Sequence, residues 1–450
     1  MSRFNLSIAV FLMFISVLTV VATSSQAQER NPLNHIVVIY LEDHSFDNLY
    51  GSFPGANGLD QAGGAAVQID KDGKPYATLP PPMVGDHLDT RFPADLPNKP
   101  FNINKYVPAD QKIGDPVHRY YQEQMQIDGG KMDKFVLDSD AAGLVMGYYD
   151  TAKLPLAEYA RQFTLADNFF HAAFGGSVLN HFWLICACSP SWGNAPDDQI
   201  ATLDANGNML KDGAVTPDGF IVNTSFSVYS PHPVYVDAFH LAPPQTQPTI
   251  GDRLSDKNLT WAWYSGGWDD TMSGNPNPLF QYQHQPFAYF KNYGNGKDGR
   301  KLHLKDEKDF IAAVADGSLP AVSFVKPLGP DTEHNGWADL LTGEKHVASL
   351  INQIQKSKIW SDTAIIITYD ENGGFWDHVP PPKVDKWGPG SRVPTLIISP
   401  FAKKGFVDHT QMDTTSILAF IEHRYGLQPL ADRDKAANDM MSAFDFTQKP

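Results

Sequence analysis

The sequence predicts an α/β fold with a mainly parallel sheet flanked by helices and interrupted by irregular insertions. Three observations carry that prediction. First, short apolar, β-branched runs recur at residues 35–41, 259–264, 321–325, 364–369 and 395–399. Strands buried on both faces read as continuous hydrophobic runs of this kind. Second, helical patterns alternate with the later runs. In 344–355, Val347, Leu350, Ile351 and Ile354 share one face, and 414–422 is a further helix. Third, strands alternating with helices build parallel sheets, and 42% hydrophobic with 12% aromatic residues is the composition of a folded chain.

In chain order, residues 1–27 read as a secretory signal. Arg3 precedes an apolar stretch from Leu6 to Ala22, and Ala27 closes a small-residue junction. An uncleaved membrane anchor is the alternative, but the run is short for a span. The mature chain, 28–450, is read as one domain, secreted or periplasmic, without a permanent membrane anchor. Its first strand, His35 to Leu41, ends in Glu42-Asp43. A Gly-, Pro- and Asp-rich surface excursion follows over 50–115. A helix is expected at 155–163. Gly175-Gly176 breaks the chain before a helix that starts near Ser177. A second insertion, 190–250, is turn-rich, with small strands such as Met209-Leu210 opposite Phe220-Ile221-Val222. The two cysteines, Cys186 and Cys188, are one residue apart. That spacing fits a disulfide poorly, so they read as small buried hydrophobes.

A formal net charge of -16, from 35 Lys+Arg against 51 Asp+Glu, argues against nucleic acid as a partner, which needs a basic surface. An anionic substrate would instead need a local positive centre.

Two strands end in paired acids, Glu42-Asp43 and Asp370-Glu371. Ligands of open α/β sheets bind beyond the carboxyl ends of strands. Four carboxylates on one rim repel one another unless a cation sits among them. All-oxygen ligation points to one hard divalent ion, Mg²⁺, Mn²⁺ or Ca²⁺. Taken singly, each acidic pair is also what an ordinary solvated turn contains. Ser177, after two glycines and at a helix start, is placed to meet an anion, although an N-cap serine has the same appearance. His118, His284, His334 and His378 lie in polar, turn-like settings. Imidazoles can bind phosphoryl oxygens and protonate a leaving alkoxide.

Three segments carry a family resemblance. They are Ile39-Tyr40-Leu41-Glu42-Asp43-His44-Ser45-Phe46-Asp47-Asn48, Gly175-Gly176-Ser177-Val178-Leu179-Asn180-His181-Phe182-Trp183, and Tyr369-Asp370-Glu371-Asn372-Gly373-Gly374-Phe375-Trp376-Asp377-His378. Together they resemble the bacterial acid phosphatase A and phospholipase C superfamily, in its acid phosphatase branch. The resemblance implies a core like that of alkaline phosphatase and hydrolysis of phosphate monoesters at acid pH through a phosphoserine. It implies Glu42, Asp43, Asp370, Glu371 and Ser177 around the metal, with Ser177 as nucleophile. Asn180, His118, His284 and His334 would bind phosphate, and His334 or, second, His284 would be the proton donor. His378 would support its loop from behind. Two positions depart from the branch pattern: Asp43 stands where Asn is usual, and Gln283 replaces one histidine of a pair. Both remove positive potential. The alternatives are a phospholipase C cleaving phospholipid headgroups, and a decayed phosphate- or metal-binding protein.

Overall fold

The computed structural model describes residues 31–449; the signal reading of 1–27 lies outside them. An eight-stranded sheet organises the chain. Its strands are β1 (His35–Leu41), β2 (Thr164–Ala166), β3 (Trp261–Ser265), β4 (Leu304–Asp306), β5 (Val322–Lys326), β6 (Thr363–Tyr369), β7 (Thr395–Ile398) and β8 (Phe406–Asp408). Their spatial order is β4-β3-β5-β1-β6-β7-β2-β8. From β4 to β6 every pairing is parallel, and β7 then runs antiparallel to both its neighbours.

The centre of the sheet positions the site. β1 and β6 are adjacent and in register, Leu41 opposite Tyr369. Every residue of β6, and all of β1 after His35, is buried. Two parallel strands of matched length end at the same rim, so Glu42-Asp43 and Asp370-Glu371 emerge side by side.

Six helices matter here: α1 (Phe46–Tyr50), α2 (Tyr120–Ile127), α3 (Pro155–Gln162), α4 (Ser177–Cys186), α5 (Leu340–Lys356) and α6 (Thr414–Tyr425). α3 packs on α5, and α4 on α6. α5 begins one turn before the apolar pattern predicts. Asp339 caps it by accepting from Thr342 N at 3.0 Å, which satisfies an otherwise orphaned amide.

Two expectations are corrected. Met209–Lys211 pairs with Thr202–Leu203, not with 220–222; the Asp204 carboxylate accepts from Asn206 N and Asn208 N and closes that tighter hairpin. Cys186 and Cys188 form a disulfide with Cα atoms 5.1 Å apart. Ala187 adopts the left-handed conformation (φ 46°) at the end of α4. That fold-back brings the two Cα atoms within bridging range, where an extended C-x-C would hold them apart.

α5 also buries an acid. Glu344 accepts a hydrogen bond from Leu156 N and lies near the buried Glu333, whose packing requires Gly343: a Cβ there would meet Glu333 Cγ at 2.3 Å. Burial pushes the Glu344 carboxyl up to about 8. A carboxyl raised in the folded state adds stability that is full below its unfolded pKa and is lost as pH rises through the folded value. Glu344→Gln is therefore expected to stabilise the protein by ~2 kcal/mol at pH 8 and to change little at pH 4. Urea titrations of both proteins at the two pH values check this. An equal effect at both would assign the change to packing.

Among the described residues, no helix is long and apolar enough to cross a membrane.

Candidate active site

The strand ends deliver Glu42, Asp43, Asp370 and Glu371 to one point, all of them buried. Asp43 turns the chain in the left-handed region (φ 70°). Its carbonyl is held by Asn335 Nδ2 at 2.9 Å. Gly373 packs directly on that carbonyl, where an added Cβ would sit 2.2 Å from it. The glycine of the Asp-Glu-Asn-Gly-Gly run is thus needed for the two acidic turns to touch.

Ser177 opens α4 at the same place. Glu123 anchors the loop before it, accepting from Gly175 N at 2.6 Å, Ser391 N at 2.8 Å and His171 Nε2 at 2.9 Å. A Cβ on Gly176 would come within 2.8 Å of the His118 carbonyl, so glycine lets the loop press against the segment carrying His118. Ser177 is the first residue of the helix and Gly176 its N-cap, with no side-chain cap bond. The serine hydroxyl is therefore not spent on capping. It sits beside the Asp370 carboxyl, whose charged form it favours.

Cations and imidazoles close around the acids. Lys326, fully buried at the end of β5, places Nζ 3.0 Å from Glu42 Oε1 and 3.9 Å from Asp370 Oδ2. His334 Nε2 is 3.0 Å from Asp43 Oδ2, His284 Nε2 is 3.3 Å from Glu42 Oε1, and His118 Nε2 is 3.7 Å from Glu371 Oε1. The Nδ1 atoms of His118 and His334 donate to the carbonyls of Pro116 and Asn335, which fixes their tautomer and turns both Nε2 atoms inward.

Protonation follows from these neighbours. Burial opposes charge on His334, but Asp43 and Glu42 overcome it and raise the imidazole to about 10. Burial also opposes charge on His118, and Asp43 and Asp115 more than offset it. His284 is pushed well below the usual range by burial, Lys326 and His181, so it is neutral. Burial, with Glu42 and Asp43, raises Asp370 to about 7 against the pull of Lys326. Glu371 is raised well above the usual carboxylate range by burial and by Asp43 and Asp370. Burial alone would raise Asp43 too, yet His334 and His118 hold it low.

The donor set fits a hard divalent cation. Glu42 Oε2, Asp43 Oδ1, Asp370 Oδ2 and Glu371 Oε1 are buried and accept no hydrogen bond. Buried carboxylate oxygens without a partner are rare and costly, and a cation resolves them. Oxygens of Glu42, Asp43 and Asp370 fall within 4.8 Å of one another, as do donor atoms of Asp43, Asp115, His118 and His334. Asp43 belongs to both groups.

The structure brings together every predicted site residue except in the case of Asn180. Its carboxamide is fully buried, accepting from Ala173 N at 2.9 Å and donating to the carbonyls of Ala173 (2.9 Å) and Gly175 (3.1 Å). It shapes the loop before Ser177 and has no free donor for a phosphoryl oxygen. His378 stands behind the rim, 2.6 Å from Asp47 Oδ2, in a buried network with Asp377 and Arg392. Sequence reasoning missed Lys326, Asp115 and His181. His181 binds the Ser177 carbonyl at 2.7 Å, and its ring stacks on His284 with centroids 5.1 Å apart. The available signals were a lysine closing an apolar strand and a histidine one helical turn after the serine.

A cavity of about 360 Å³ lies over these groups. Besides Ser177, Glu42, His118 and His334, it is lined by Asp115, Arg119, Asp140, Asn223, Thr224, Gln281, Gln283 and Trp337. Polar and apolar surface line it in equal measure.

The model of the Phosphoesterase family matches residues 33–428. Phospholipase C A of Mycobacterium tuberculosis is 26% identical over 460 residues, covering 93% of this chain and 78% of that one. The non-hemolytic phospholipase C of Pseudomonas aeruginosa is 24% identical over 92% of this chain, which spans 57% of that protein's length. Among solved structures, a protein of the alkaline phosphatase superfamily from Vibrio parahaemolyticus aligns over 85% of this chain and 77% of its own, at 12% identity and a TM-score of 0.36.

Proposed function

The chain belongs to the phosphoesterase family, and from that premise we propose that it hydrolyses phosphate monoesters with Ser177 as nucleophile, through a phosphoserine. The observation that supports this most is the Ser177 hydroxyl, not spent on capping, at the start of α4 beside buried carboxylate oxygens that accept no hydrogen bond.

Glu42, Asp43, Asp370, Glu371 and the Ser177 oxygen would hold one divalent cation of the Mg²⁺, Mn²⁺ or Ca²⁺ type. Once bound, such an ion lowers the pKa of the serine hydroxyl and balances the acids. The chain's own groups do the rest. The Ser177 hydroxyl, beside the Asp370 carboxyl, releases its proton to solvent as Oγ attacks phosphorus. The unpaired N–H groups of the first turn of α4 face an anion favourably. His118 presents a charged Nε2 donor to the equatorial oxygens. His334 holds its proton throughout the neutral range and gives it to the departing alkoxide. Water then opens the phosphoserine. His284, being neutral, serves to orient Glu42.

The relatives' names favour a second reading, cleavage of a phospholipid at its phosphodiester, with the cavity over Ser177 taking the headgroup. One experiment separates the two: rates on p-nitrophenyl phosphate and on p-nitrophenyl phosphocholine across pH 4 to 9, with and without added Mg²⁺, Mn²⁺ or Ca²⁺. Metal-dependent monoester turnover on the acid side is the expected result. A higher kcat/KM for the choline ester would move the assignment to the phospholipase.

A further inference from the structure

A second cavity, of about 380 Å³, shares no lining residue with the one above Ser177. Arg433 lines it. The side chain is only 6% exposed, and its guanidinium lies over the Trp183 ring, 4.6 Å from the centroid. None of its three nitrogens makes a hydrogen bond. Nε lies 3.2 Å from Asp413 Oδ2 and Nη1 3.6 Å from Asp385 Oδ2. A buried guanidinium presents five donors, and leaving them unmet is costly.

The two flanking acids are held in place by their other oxygens. Asp413 Oδ1 accepts from Thr415 N at 2.7 Å, and Asp385 Oδ1 from Trp387 N at 2.8 Å. A third carboxylate, Asp432, stands exposed on the rim. One cation therefore faces three acids. A simple anion meets net negative charge here, and a simple cation leaves Arg433 unmet. A molecule carrying both charges satisfies both. Val384 and Pro389 supply an apolar wall for a short methylene spacer.

We propose that this cavity binds a small zwitterion, with its oxyanion on Arg433 and its ammonium among Asp385, Asp413 and Asp432. The oxyanion can be a carboxylate, as in an amino acid, or a phosphate ester of an amino alcohol.

Calorimetric titration of the intact protein tests it, with 4-aminobutyrate and O-phosphoethanolamine as the two probes. Inorganic phosphate and ethylamine supply each charge alone. Saturable binding of at least one zwitterion is expected, at least tenfold tighter than either single charge. Whichever probe binds identifies the carboxylate or the phosphate source, and binding of both assigns the shared chemistry. Ala437→Trp, which fills the half-buried rim, should weaken binding at least tenfold. So should Arg433→Lys, which loses the planar fork. Ala437→Trp keeps the test intact if the buried Arg433 variant does not fold. The proposal is overturned if neither zwitterion binds, if Ala437→Trp leaves binding unchanged, or if phosphate alone binds as tightly.

Discussion

Ser177→Ala is expected to reduce kcat on p-nitrophenyl phosphate by ~10³-fold or more, with the melting temperature changed by no more than a degree or two. The two halves of this result have separate physical causes. Activity falls because Oγ opens α4 and lines the cavity over the buried acids; alanine removes the atom that would attack phosphorus. Stability holds because the hydroxyl caps nothing: Gly176 is the N-cap and makes no side-chain bond to the first turn. Removing a true N-cap serine costs about 1 kcal/mol. A half-buried serine with no capping duty costs less. Retention of a tenth or more of the rate would remove Ser177 as nucleophile. A normal rate with a fall in melting temperature would restore the capping explanation. Rapid quenching on wild type adds an independent readout, since a phosphoenzyme that breaks down slowly gives acid-stable labelled phosphate on the protein together with a burst of p-nitrophenol.

Much of this site was legible because strand ends are legible. An apolar run followed by two acids locates both a strand and its carboxyl end. Two such runs in one parallel sheet then place Glu42, Asp43, Asp370 and Glu371 together. What stayed hidden depends on contacts far apart in the chain. Lys326 is a site residue only because β5 lies next to β1, and strand order is not written in local sequence. Asp115 belongs to the long excursion, whose path follows no periodicity. Asn180 carries the opposite lesson. Its place in the nucleophile segment suggested substrate contact, but three residues into a helix its amide turns back onto the loop at Ala173 and Gly175. The C-x-C disulfide likewise turns on one left-handed residue, Ala187, for which alanine gives no warning.

Removal of the divalent ion by a chelator is expected to abolish turnover and to lower the melting temperature by several degrees at pH 8. The stability loss follows from the buried oxygens of Glu42, Asp43, Asp370 and Glu371 that accept no hydrogen bond. An ion that binds only the folded state at a hundredfold excess over its Kd adds ~2.7 kcal/mol. Lys326 offsets part of the charge on Glu42 and Asp370, so the apo protein should remain folded and reloadable. The effect must also shrink with acid. Asp370 titrates at about 7 in the absence of the ion, so below that pH protons compete for the same oxygen. The metal-dependent rise in melting temperature should therefore be large at pH 8 and small at pH 5. An acid activity optimum and a metal requirement would pull against each other at Asp370, and Asp43, kept ionised by His334 and His118, would be left to hold the ion on the acid side. Asp43→Asn separates the two demands: it should leave metal-supported activity at pH 8 within about tenfold of wild type and reduce it far more at pH 5. Identical melting curves with and without chelator at pH 8 would reject a resident ion, and the four carboxylates would then have to be held by protons, Lys326 and the imidazoles of His118 and His334.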